Sequence, residues 1–192
     1  MDKHVSNVCS AGFYRLRQLR RVRESLDTES AATLVHAFVT SRIDYCNVLL
    51  AGAPKATTDM LQRLLNAAAR LLRGTKKFDR GLSRLMHVDL HWLDVPERVK
   101  YKLATMVHNC LHGKAPSYCC TPISDVASRH HLRSATRRQL LVPRHNLSTY
   151  GRQAFSVVGP AAWNCLCDEL REPLLTANSF RQLLKTRLFA EY

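Results

Sequence analysis

The stretch LQRLLNAAARLLRGTKKFDR, Leu61 to Arg80, decides the fold. Leu61, Leu64, Leu65, Ala68, Leu71 and Leu72 recur at i, i+3, i+4, i+7, i+10 and i+11, which is one apolar stripe of an α-helix that asks for a core. Arg63, Asn66, Arg70 and Arg73 fall at i, i+3, i+7 and i+10 and gather on a second stripe of the same helix. Thr57 or Thr58 offers an N-cap, and Gly74 stands where a left-handed C-cap residue closes a helix. Ala67, Ala68 and Ala69 make a narrow waist that suits close packing of another helix or the approach of a nucleic-acid strand. The loop beyond Gly74 opens with Thr75, Lys76 and Lys77, so cations continue past the helix end.

Working outward toward the amino terminus, AGFYRLRQLRRVRESL predicts a short basic helix with Phe13, Leu16, Leu19, Val22 and Leu26 on its apolar side. Asp27 or Thr28 can cap a second helix. Its apolar positions Leu34, Val35, Phe38, Val39, Tyr45 and Leu49 carry it to about Leu50, where AGAPK ends it. Toward the carboxyl terminus, Asp94 and Glu97 flanking Pro96 form an acidic capping box for a fourth helix, lined by Val99, Leu103, Met106, Val107 and Cys110. Gly113 and Pro116 stop it. APSYCCTPISDVASRHHLRSAT has no sustained period and reads as a linker or long loop. Beyond it QLLVP predicts one short strand, YGRQAFSVVGPAAWNCL a compact turn-rich segment, and SFRQLLKTRLF a terminal helix. Ser179 and Gln182 would cap that helix, and Phe180, Leu183, Leu184 and Leu188 would dock it.

The expected architecture is therefore mainly α. A helical bundle of about four helices occupies 1–115, a basic linker 116–136, and a small α-rich C-terminal segment 137–192. A 46% apolar content can supply a core. Twenty-nine Lys and Arg against fifteen Asp and Glu give a net charge of +14. That excess favours a polyanionic partner, most commonly nucleic acid. Without an apolar leader or a membrane-length apolar run, the chain is expected to be intracellular, nuclear or cytoplasmic, and not secreted. Its seven scattered cysteines fit reduced thiols.

Two groups of cations are candidate phosphate contacts: Arg63, Arg70, Arg73, Lys76 and Lys77 first, then Arg133, Arg137, Arg138 and Arg144. The second group lies between Asp125 and Asp168, a span with no acidic residue. Solvated basic faces are the competing reading of both groups. Tyr150 and Phe155 have the shape to stack on bases, although core packing is the more frequent role of such aromatics. No metal site is expected. His87 with His91 and His108 with His112 stand at i, i+4, but Asn109 occupies the position of a zinc-protease Glu and there is no CxxC pair. Nucleotide-binding, hydrolase and paired-aspartate motifs are absent, so neither catalytic residues, a cofactor nor a small-molecule substrate is expected.

The order of HVSNVCSAGFYRLRQLRRVR, TLVHAFVTSRIDYCNVLLAGAPK, LQRLLNAAARLLRGTKKFD, LHWLDVPERVKYKL, LHGKAPSY, LRSA, LLVPR, YGRQAFSVVGPAAWN and SFRQLLKTRLF resembles Jockey-like non-LTR (LINE-type) retrotransposon reverse transcriptases. The similarity runs from about residue 4 to 190 and falls on the region after the polymerase palm, comprising the thumb-like helices and tail. The chain departs from the family at Asp94, where Pro is usual, at Cys119, where Leu is usual, and in AWNCLC for LWNSLP. The resemblance implies a non-catalytic fragment of an RNA-directed DNA polymerase, with the endonuclease and palm outside these residues. It implies RNA and DNA, as a template and primer duplex, for the partner, and the missing palm domain for a second. The alternative expectation is a helical protein-interaction or structural module, or a non-functional transposon relic, whose basic faces are solvated.

Overall fold

The computed structural model of the chain describes residues 2–76, 79–116, 120–122, 138–144 and 150–192, the side chains of Tyr150 and Arg152 excepted. Among these residues the fold is mainly helical. The elements are α1 (Asp2–Val22), α2 (Thr28–Val35), α3 (Ser41–Asp44), α4 (Lys55–Arg73), α5 (Leu82–Arg84), α6 (Val95–Leu111), α7 (Tyr150–Gln153), α8 (Phe155–Asn164) and α9 (Ala177–Phe189). Contacts sort the chain into two compact units, Met1–Asn47 with Ala53–Arg98, and Val48–Gly52 with Val99–Tyr192. Helix α6 therefore begins in the first unit and continues in the second, where sequence alone assigns it to the bundle.

In the first unit, α1 buries Val5, Cys9, Gly12, Leu16 and Leu19, alternating steps of four and three along one seam. The seam includes Gly12 and leaves Phe13 and Val22, both expected inside, exposed. The reason is close approach to α4: a Cβ on residue 12 would lie 2.5 Å from Leu64 Cδ2. Leu64 is itself fully buried, and the other five apolar positions that define the α4 stripe are buried too. Burial of each such leucine is worth about 1.5–3 kcal/mol. Helix α4 starts after Pro54 instead of at Thr57 or Thr58. Thr57 is buried and its hydroxyl donates to Asp2 Oδ1 at 3.3 Å.

Asp27 caps α2, its carboxylate accepting from the Ser30 N–H at 3.3 Å. The helical path then widens into a π-turn over His36–Thr40 before α3. It ends earlier than Leu50, because Tyr45 turns extended at ψ 121° and Cys46 follows in a left-handed conformation at φ 54°, neither of which propagates the helix. Val35, Val39 and Ile43 face the core, while Phe38 and Tyr45 are exposed. At the start of α6 the first backbone N–H comes under a side chain from α4: Gln62 Oε1 accepts from Val95 N–H at 2.8 Å. The same amide donates to Asp94 Oδ1 at 2.7 Å and to Asn66 Oδ1 at 3.0 Å. Asn66 is thereby drawn toward this cap and away from the arginine stripe.

In the second unit the α6 face Val99, Leu103, Val107 and Cys110 is buried, whereas Met106 is exposed. His108 joins that face. The span 150–164, expected as turns, is helical apart from Ala154, and α8 accommodates Pro160 within it. Residues 139–143, expected as a strand, form none. Leu140 makes only an isolated bridge to Pro122, and Asn164 takes the place of a neighbouring strand. Its Oδ1 accepts from Leu140 N–H at 2.8 Å and its Nδ2 donates to Leu140 C=O at 2.9 Å. Thr176, and not Ser179, caps α9: its hydroxyl oxygen accepts from Ser179 N–H at 3.2 Å. Phe180, Leu184 and Leu188 dock the helix, and Leu183 is exposed.

Candidate nucleic-acid interface

The C-terminal end of α4 builds the candidate site. Gly74 closes the helix at φ 68° with its N–H on the Arg70 carbonyl, a conformation glycine adopts without a Cβ penalty. From within the chain, Arg23 satisfies two more of the last-turn carbonyls. Its Nη2 donates to Leu72 at 3.0 Å and its Nε to Leu71 at 3.4 Å. A cation is favoured at this negative end of the helix dipole. The chain reverses again at Gly81, φ 87°, and α5 with the following π-turn over Leu85–Asp89 returns toward the helix end.

The result is a groove of about 280 Å³ between the end of α4 and residues 79–89. Arg70 and Arg73 line it from the helix, Arg80 and Arg84 from the returning segment, and Asp79 and Asp89 from the same segment. Arg73 Nη2 lies 3.1 Å from Asp89 Oδ2, with about half of the arginine side chain and a third of the aspartate exposed. A pair that exposed contributes about 0–1 kcal/mol and opens readily to a better acceptor. Asp79 Oδ2 accepts from the Lys76 backbone N–H at 2.7 Å, which sets the turn and leaves the Lys76 side chain exposed.

Of the expected contacts, Arg63 is exposed on the same stripe two turns before the groove, Arg70 and Arg73 enter it, and Lys76 lies beside it. Lys77, Arg133 and Arg137 lie outside the described residues. Arg138 and Arg144 belong to the second unit. Arg138, at φ 56°, pairs with Glu172 at 3.0 Å and donates to the Arg171 carbonyl at 3.4 Å, whereas Arg144 is exposed. Sequence reading missed Arg80 and Arg84, which stand off the α4 stripe and reach it only through the reversal at Gly81. Their signal is the pair of glycines, 74 and 81, enclosing a basic turn.

Phe155 is half-buried, and the position of a Cβ on Gly159 would touch its ring at 3.4 Å, so it packs within the second unit. The His108 ring is buried there. It stacks on His112 at 3.9 Å and on Phe180 at 4.3 Å between centroids. Burial, reinforced by the nearby charge of His112, lowers the His108 pKa to about 4, so the ring is neutral at physiological pH. Its Nε2 meets the Leu175 carbonyl at 3.3 Å, while the two His112 ring nitrogens meet the carbonyls of His108 and Pro173. Among the described residues no group of three or more His, Cys, Asp or Glu is placed to hold a metal ion. None of the described helices is long and apolar enough to cross a membrane.

No protein-family model, curated protein or solved structure matches this chain.

Proposed function

We propose that the chain binds nucleic acid without catalysing a reaction, as the post-palm part of a non-LTR retrotransposon reverse transcriptase that holds template and primer. The observation that carries this reading is the groove at the end of α4, where Arg70, Arg73, Arg80 and Arg84 converge from two segments. Guanidinium forks match phosphate oxygens bidentately, and contacts of this kind position a backbone without reading its bases. Arg63 extends the cationic line along the helix, and the net charge of +14 adds long-range attraction. The identity of the polyanion as an RNA and DNA duplex comes from the resemblance described above.

Titrating the purified chain with a primer and template duplex at increasing salt tests the reading. Binding that weakens with a log–log slope of several units, and weakens similarly for unrelated sequences, is the expected result. Absence of binding at low salt would overturn it. A second reading, a helical module that docks a protein such as the palm, draws on exposed Phe13, Tyr14 and Tyr45 in the first unit. Salt-insensitive association with a palm fragment, without affinity for the duplex, would favour that reading instead.

A further inference from the structure

We infer that the groove at the end of α4 receives a terminal phosphate monoester of a nucleic-acid strand, as opposed to one more diester along a continuous backbone. The inference rests on the nucleic-acid reading above and deepens it by naming the group held. Arg63 stands exposed on the helix two turns back, open to the phosphates of a continuous backbone. Arg70 and Arg73 from the helix and Arg80 and Arg84 from the returning segment instead line one groove of about 280 Å³, a volume just below the usual range of small-molecule sites. Such a space suits the end of a strand better than its middle.

Charge and donor geometry select the monoester. Among the described lining residues, four arginines and two aspartates leave two net positive charges. A diester brings one negative charge, whereas a phosphate monoester carries about −1.5 to −2 at neutral pH and presents three strong acceptor oxygens. Four arginines lining one groove offer more donors than the two non-bridging oxygens of a diester can accept, and three oxygens use them better. Asp89 holds Arg73 at 3.1 Å in a half-exposed pair that a dianion displaces at small cost. A phosphorylated protein offers the same group. The strand is favoured because Arg63 continues the stripe about 10 Å back along the helix, giving the adjoining diesters a place to lie.

The test is fluorescence anisotropy of the full chain with three single-stranded oligonucleotides of one sequence, carrying a 5′-phosphate, a 3′-phosphate, or hydroxyls at both ends. One phosphorylated end is expected to bind roughly tenfold tighter than the hydroxyl form, as one or two charge-assisted hydrogen bonds supply. The Arg80→Gln/Arg84→Gln variant should lose that ratio, weakening on the phosphorylated oligonucleotide more than on the hydroxyl one. Arg63→Gln should weaken all three equally, and circular dichroism of each variant should match the parent. Equal binding of the three oligonucleotides would overturn the monoester assignment and leave nucleic-acid binding standing. If none binds, both readings fall. Preference persisting in the double variant would place the site elsewhere, and a phosphoserine peptide that competes as well as the phosphorylated strand would overturn the choice of ligand.

Discussion

Some polar side chains of the two units are put to opposite uses. In the first, Arg70, Arg73, Arg80 and Arg84 converge on an open groove and are held by little more than a half-exposed aspartate. In the second, polar groups turn inward to do the work of missing secondary structure. Asn164 pairs both backbone groups of Leu140, Trp163 Nε1–H donates to the Arg138 carbonyl at 3.1 Å, and His108 lies inside an aromatic stack. The difference follows from what each has for a core. Helices α1 and α4 zip along a regular seam and leave their charged faces over, whereas the second unit has to anchor irregular backbone with side chains.

The sharpest way to break that contrast is Asn164→Ala, which leaves the N–H and C=O of Leu140 without their partners. Stability should fall by about 2–4 kcal/mol, read from denaturant midpoints. Next is Gly12→Val, which drives a side chain into Leu64 and should cost about 1–3 kcal/mol. An unchanged midpoint in either variant would remove the corresponding half of the comparison.

Acid should act on the second unit through His108. Its pKa falls from 6.5 to about 4 on folding, so the unfolded chain binds more protons between those values. Stability present above pH 6.5 is therefore lost as pH drops toward 4, by about 1 kcal/mol over the first unit below 6.5. His112, Lys114, Arg181 and the Leu175 carbonyl are the groups that face it. His108→Leu should flatten this part of the pH profile, and a profile as steep as the parent's would assign the effect to other groups. The smallest change belongs to the groove, where Asp89→Asn frees Arg73 and should raise affinity for a phosphorylated strand by roughly two- to fivefold. Weaker binding would contradict the view of Asp89 as a displaceable partner.

What was legible in the sequence follows the same division. The α4 stripe is buried at all six expected positions because leucine and alanine at helical spacing leave one solution. The α1 seam was legible at Leu16 and Leu19 but read at Phe13 in place of Gly12, since periodicity weighs Phe13 above a glycine whose value lies in letting Leu64 come close. QLLVP has the composition of a strand but is paired by a distant asparagine, which no local pattern announces. Half of the groove was visible as Arg70 and Arg73. Arg80 and Arg84 were not, because a left-handed turn at Gly81 brings them in.

The most direct test compares Arg84→Gln in the groove with Arg144→Gln in the second unit, each removing one positive charge from an exposed side chain. Both variants alter the overall field equally, so they differ only if location matters. Measured on a duplex across a range of salt, the log–log slope should shrink by about 0.9 for Arg84→Gln and stay close to the parent's for Arg144→Gln. Equal slopes for the two variants, or a larger loss for Arg144→Gln, would contradict the placement of the interface at the end of α4.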